Sequence, residues 1–183
     1  VYTAADPSSN VATNDGAVLN YRVDDYIAPV VVLNTEDTVY LEVNTPYFSK
    51  PVTVTDNYYS NSQVSVVKTG SVDPYTLGLY TERYTATDAS GNSTTRTRYV
   101  RVLDMKAPQI IAPSVNVCIG YGFDPMEGLQ ITDNYYSPST LLSLVQVMNH
   151  NVNSWEAGVY YINYRVTDPS NNTSAVVTRP VFV

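Results

Sequence analysis

Apolar residues along this chain come in short runs rich in Val, Thr and Tyr, and Pro, Gly, Asn or Asp closes each run. That punctuation predicts strands. In the first half they fall near 29–33, 38–43, 51–55, 63–69, 79–87 and 94–102. In the second half they fall near 108–112, 115–119, 128–132, 142–148, 159–167 and 174–183. No window sustains an apolar period of about 3.6 residues, so helix is not expected. Residues 139–148 are the nearest exception, because Leu141, Leu142, Leu144 and Val145 fit either period. The clearest alternation puts Tyr160, Ile162, Tyr164 and Val166 on one face and Tyr161, Asn163 and Arg165 on the other. Its counterpart is Tyr80, Glu82, Tyr84 and Ala86, where Glu82 implies either a rim position or an imperfect inward face. Short strands separated by frequent turns describe an all-β sandwich. Gly78-Leu79-Tyr80 and Gly158-Val159-Tyr160 each open the same strand. They fit a tyrosine corner, in which the ring packs inward and the hydroxyl bonds nearby backbone.

The pattern is stated twice. Asp56-Asn57-Tyr58-Tyr59-Ser60 returns as Asp133-Asn134-Tyr135-Tyr136-Ser137, and Thr87-Asp88-Ala89-Ser90-Gly91-Asn92 as Thr167-Asp168-Pro169-Ser170-Asn171-Asn172. Ala28-Pro29 and Ala107-Pro108 each follow an aspartate, Asp25 and Asp104, by three residues. The offsets are 79 residues from Asp25 to Asp104, 77 from Asp56 to Asp133 and 80 from Asp88 to Asp168. Order kept while spacing drifts means that loops, not the scaffold, took the insertions, which marks tandem domains. Residues 25–103 and 104–183 are the two repeats. Tyr2-Thr3-Ala4-Ala5-Asp6-Pro7-Ser8-Ser9-Asn10 matches Tyr84 through Asn92, so residues 1–24 read as the closing hairpin of a preceding repeat. An isolated hairpin is marginal in water. It belongs either to a domain whose first part lies upstream or to a neighbouring molecule that it completes by strand addition.

Composition narrows the class. With 44% hydrophobic residues among 183, the chain can build cores and is no disordered tail. The net charge of −7 argues against nucleic acid, which requires a basic face. The single cysteine, Cys118, excludes an intrachain disulfide and is expected to be a small buried hydrophobe in Val115-Asn116-Val117-Cys118-Ile119. Nothing approaches the ~20 apolar residues that a membrane-spanning helix needs, so membrane insertion is not expected.

The succession Asp-x-x-Ala-Pro, Thr-Asp-Asn, Gly-x-Tyr and Tyr-x-Ala-Thr-Asp-x-Ser-Gly-Asn resembles bacterial immunoglobulin-like surface repeats, in particular hyalin-repeat-like modules of large secreted adhesins. The second repeat departs from it, with Asn171 in place of the turn glycine and Ile131-Thr132 ahead of its Asp-Asn. Asparagine also takes the left-handed turn conformation, so the fold expectation is unaffected. The resemblance implies tandem immunoglobulin-like β-sandwich domains in an extended array, secreted or at a cell surface. Their role would be that of stalk or spacer, without enzymatic activity, with neighbouring repeats as partners and glycans or other surface proteins as further ones. A homopolymer assembled through residues 1–24 is the alternative.

If 51–55 and 79–87 are strands B and F of that topology, one pole gathers the linker, the BC loop and the FG loop. Asp25, Asp56, Asn57, Asp88 and Asn92 then meet in the first repeat, and Asp104, Asp133, Asn134, Asp168 and Asn172 in the second. Calcium takes six to eight oxygen ligands of these kinds, so each junction is a candidate calcium site. The same residues are also what tight turns demand, and the sequence leaves both readings open. Tyr58, Tyr59, Tyr135 and Tyr136 lie in the BC loops. They pack against a preceding domain or stack on a sugar or protein ligand. Asn92-Ser93-Thr94 and Asn172-Thr173-Ser174 match the N-glycosylation pattern at turns where that composition is expected for shape alone. Catalytic motifs are missing: the one histidine, His150, stands among asparagines in an expected loop, and no phosphate loop or nucleophile elbow occurs.

Overall fold

The computed structural model describes residues 22–183, together with Pro7–Ser9 and the backbone of Thr3–Ala5 and Val11–Thr13. The first two strands, β1 (Thr3–Ala5) and β2 (Val11–Thr13), pair antiparallel. The strand-addition reading of residues 1–24 otherwise lies outside the described residues.

From residue 30 onward the same set of strands is built twice. In the first, β3 (Val30–Leu33) pairs antiparallel with β5 (Val52–Thr55). A four-stranded sheet runs in the order β4 (Thr38–Glu42), β8 (Ser93–Leu103), β7 (Gly78–Thr87), β6 (Ser65–Thr69), with β4 parallel to β8. In the second, β9 (Gln109–Ile111) pairs with β11 (Gln130–Thr132). Its larger sheet runs β10 (Val115–Asn116), β14 (Val177–Phe182), β13 (Val159–Val166), β12 (Val145–His150), with β10 parallel to β14. His150 therefore ends a strand rather than standing in a loop, its ring 6.1 Å from that of Phe123.

The alternation read on β13 holds: Ile162, Tyr164 and Val166 are fully buried, and Ile110, Ile131, Leu141 and Val181 pack around them. Val31, Val64, Tyr84 and Ala86 form the corresponding core of the first sandwich. Both tyrosine corners are present, with the Tyr80 hydroxyl donating to the Thr76 carbonyl at 2.9 Å and that of Tyr160 to the Glu156 carbonyl at 3.1 Å.

Helix does occur, at the start of the one stretch that fits either period, as α1 (Pro138–Leu142). Ser137 caps it by accepting from Thr140 N–H, and Pro138 sits in the first turn, where its missing N–H costs nothing. The first sandwich has a short 3₁₀ turn, Asn61–Gln63, at the same place. Leu141 and Val64 follow Asp133 and Asp56 by eight residues, and both are buried. One inward position is thus filled from two local structures.

Glu82 is neither at a rim nor misaligned. It points inward at 1% exposure, opposite Arg98 at 0%, with Arg98 Nη1 3.7 Å from Glu82 Oε2. The carboxylate also accepts from Tyr47 (2.9 Å), Ser49 (2.7 Å), Tyr84 (3.0 Å) and Lys68 (3.0 Å). Burial opposes its charge, but these hydrogen bonds outweigh burial and hold the carboxyl below its ordinary range. Burial and the bond to Glu82 push the Tyr47 phenol up to about 12. In the second sandwich the pair is Ile162 opposite Arg179, whose Nε and Nη1 donate instead to the Pro113 and Pro125 carbonyls at 2.8 and 3.2 Å. Cys118 is exposed, contrary to expectation, because Val115 and Val117 take the inward positions of this segment and the cysteine falls on the outward face.

A candidate metal centre at the head of each sandwich

Three chain segments meet at one pole of each sandwich, and each contributes a carboxylate. Asp25 lies in the segment entering β3, Asp56 directly follows β5 and Asp88 directly follows β7. Asp104, Asp133 and Asp168 take the corresponding places around β9, β11 and β13. Each triad offers one carboxylate oxygen per residue, and these oxygens all lie within 4.8 Å of one another. The structure thus brings together the aspartates that the sequence proposed as junction ligands.

Local turn chemistry fixes the orientation of each. Asp56 Oδ1 accepts from the backbone N–H of Tyr58 and Tyr59 at 2.9 and 2.8 Å, and Asp133 Oδ1 from Tyr135 and Tyr136 at 2.8 and 3.0 Å. One oxygen is committed to the turn, and the other, Oδ2, is buried with no protein partner in both residues. The linker aspartates repeat this: Oδ1 of Asp25 accepts from Ile27 N–H and Oδ1 of Asp104 from Lys106 N–H, while both Oδ2 atoms are buried and unpartnered. Asp88 and Asp168 are held by Asn92 and Asn172, whose backbone N–H and side-chain amide bind the two carboxylate oxygens at 2.8–3.0 Å. The same amides donate to the Asp25 and Asp104 carbonyls, both at 3.1 Å, and so tie linker to FG turn. That turn needs a left-handed residue, found as Gly91 (φ 89°), Asn171 (φ 73°) and, at the matching position before β2, Ser9 (φ 66°).

Electrostatically the triads are unbalanced. Among the described residues no Lys or Arg forms a salt bridge with either one. Asp88, Asp104 and Asp168 are only 4–5% exposed. Burial chiefly pushes the Asp104 carboxyl above its ordinary value; the Lys106 N–H opposes this, and the charges of Asp133, Asp168 and Glu42 reinforce it. At Asp88 burial also disfavours the charge, but hydrogen bonds from Asn92, Ser90 and Gly91 outweigh it and lower the value. An all-oxygen set without His or Cys suits a hard cation, not zinc.

The remaining two asparagines separate the sites. Asn57 is exposed and reaches Asp25 Oδ1 only at 3.4 Å. Asn134 donates to Glu42 Oε1 at 2.7 Å, while its own Oδ1 is buried and unpartnered. Glu42 ends β4 of the first sandwich, and its Oε2 accepts from Met105 N–H at 2.9 Å. Asn44 adds a bond from Nδ2 to the Asn134 carbonyl at 2.5 Å. The tail of the first sandwich therefore grips the head of the second. Sequence reading missed Glu42, and the repeat gave no signal for it. The parallel pairings Val39↔Val100 and Val115↔Val181 align Glu42 with Cys118, so the second copy carries no glutamate at that place.

Each tyrosine pair divides its labour. Tyr59 and Tyr136 pack on the core of their own sandwich, and their hydroxyls meet Ser90 and Ser170 at 2.7 and 2.8 Å, latching BC loop to FG turn. Tyr58 and Tyr135 are exposed and stand edge-on to them, with interplanar angles of 86° and 82°.

Residues 31–102 match the family model of the bacterial surface protein, Ig-like domain. An "uncharacterized 81.3 kDa protein" of Acholeplasma phage L2 is 25% identical over 128 residues, covering 67% of this chain; the match spans 17% of that relative's length. Among solved structures, the M60 catalytic domain with two CBM51 domains from Clostridium perfringens ZmpB is 14% identical, covers 99% of this chain and 32% of that chain, and has a TM-score of 0.45. Extracellular cadherin domains 3–6 of protocadherin gamma B2 are 13% identical at a TM-score of 0.40, covering 85% of this chain and 51% of theirs. The fibronectin(III)-like modules of Clostridium thermocellum CbhA are 17% identical at 0.30, covering 84% and 94%. Among the described residues no helix is long and apolar enough to cross a membrane. Residues 31–102, within the first of the two sandwiches, are thus similar to the Ig-like domain of bacterial surface proteins.

Proposed function

We propose that the chain is a stalk or spacer segment of a bacterial surface protein, in which immunoglobulin-like modules join head to tail as an extended array. The observation that carries this reading is the grip between the sandwiches, where Glu42 and Asn44 of one bond to Met105 and Asn134 of the next. An array gains reach only if its junctions resist bending, and directed hydrogen bonds at the interface supply that resistance. Binding of a sugar by the loop tyrosines has less support, since the edge-on pairs present no flat stacking platform.

Small-angle scattering of the full chain tests the proposal. An extended, two-lobed distance distribution that broadens when Glu42 and Asn44 are both replaced by alanine is expected. A folded-back particle, or a distribution indifferent to those substitutions, would overturn it.

A further inference from the structure

We propose that the two carboxylate triads are calcium sites, and that the second is completed across the junction, with Glu42 of the first sandwich positioning a ligand for an ion held by Asp104, Asp133 and Asp168. This deepens the stalk reading and rests on it only for its mechanical consequence. The aspartates alone could be turn residues, but turn formation does not account for what their other oxygens do. Asp104 is 5% exposed, its Oδ2 is buried without a partner, and its carboxylate stands in a triad with two others. Asp133 Oδ2 and Asn134 Oδ1 are buried and unpartnered in the same head. A buried oxygen with no donor costs about 1–3 kcal/mol, and more when charged, so several in one place call for a cation.

The spacing fits the ion. Oxygens at 2.3–2.6 Å from calcium can be at most about 4.6–5.2 Å apart across its shell. The triads, with all three oxygens within 4.8 Å of one another, meet that limit. Three aspartates supply the charge, Asn134 Oδ1 a neutral ligand, and backbone carbonyls and water the remainder. Glu42 positions rather than ligates: by accepting from the Asn134 amide at 2.7 Å it leaves that residue's oxygen free for the ion. The first triad has the same paired orphan oxygens on Asp25 and Asp56, but its asparagine, Asn57, is exposed. The second site is therefore the tighter one, and it links two sandwiches.

Isothermal titration of the full chain with calcium chloride, followed by magnesium competition, tests this. Two sites are expected, with dissociation constants of roughly 10⁻⁴–10⁻³ M or tighter. Asp104→Asn with Asp168→Asn should remove the tighter site, and Asp25→Asn with Asp88→Asn the weaker. Glu42→Gln should weaken the tighter site by about 10–100-fold, the usual effect of an outer-shell partner, while the affinity of the first triad stays as in the parent. Absence of binding up to about 10 mM calcium, unchanged stoichiometry in both double variants, or displacement by equimolar magnesium would each overturn the assignment. Scattering in chelator reports on the stalk separately. If calcium binds and shape stays flexible, the metal sites stand and the rigid junction falls.

Discussion

Replacing Glu82 by Ile tests whether the buried ionic cluster of the first sandwich is held by its charge pair or merely tolerated. Ile is what the second sandwich carries at this place, so size and strand preference favour the change. The electrostatics oppose it. Arg98 is fully buried, and its Nε and Nη2 have no partner even in the native chain. Its Nη1 donates to the Lys50 carbonyl at 2.7 Å and to the Tyr84 hydroxyl at 2.9 Å, and nearby Glu82 supplies the opposing charge. Arg179 shows the alternative solution, with Nε and Nη1 both on backbone carbonyls, which Arg98 Nε lacks. Removing Glu82 therefore leaves a buried guanidinium without a counter-ion and strips an acceptor from Tyr47 and Tyr84. Breaking one partner of such a pair costs about 3–5 kcal/mol. Hydrogen exchange reads the loss segment by segment: protection in β7 and β8 should fall by roughly two to four orders of magnitude, with β13 and β14 much less affected. Glu82→Ile combined with Arg98→Met should recover most of the loss, because apolar replacement of a whole buried pair is often neutral. A loss under about tenfold in the single variant would refute the reasoning and mean that Arg98 finds carbonyls as Arg179 does.

Three further outcomes follow from the same structure. Glu82 titrates below its ordinary value, so its contribution is present above about pH 4.3 and is lost as pH falls through the lower folded value; acid unfolding of the first sandwich followed by exchange should show this component, and Glu82→Gln should abolish it. Gly70 has φ 89° and a Cβ there would run into the Thr81 carbonyl, whereas Gly91, also at φ 89°, faces open space and is matched by Asn171. Gly70→Ala should therefore destabilise by more than the ~1–2 kcal/mol of the backbone conformation alone, and Gly91→Asn should leave the melting temperature nearly unchanged. Leu141→Ala, which empties a fully buried position under α1, should cost about 2–5 kcal/mol in urea unfolding, read from the second sandwich.

The strands and their doubling were legible in the sequence alone, whereas the gathering of six aspartates at two poles followed only from the immunoglobulin topology that the motifs resemble. Period-two patterning and turn residues are local signals, and a repeat aligns them without any need for coordinates. The sequence also placed both tyrosine corners, since that contact lies within four residues. Tertiary structure decided what depends on residues far apart. The helix at Pro138–Leu142 arises because a capped turn lets Leu141 reach the same core position that Val64 fills from a 3₁₀ turn. Glu82 reads as a misfit until Arg98 is found facing it across the β7–β8 hairpin. Cys118 sits in an apolar run, and only the packing of Val115 and Val117 on the core shows that it faces outward. Glu42 is one acid in a plain strand, and only the approach of Asn134, 92 residues away, gives it a role. Pairing across such separations is settled by which buried groups find partners when the chain closes, and no local pattern encodes that.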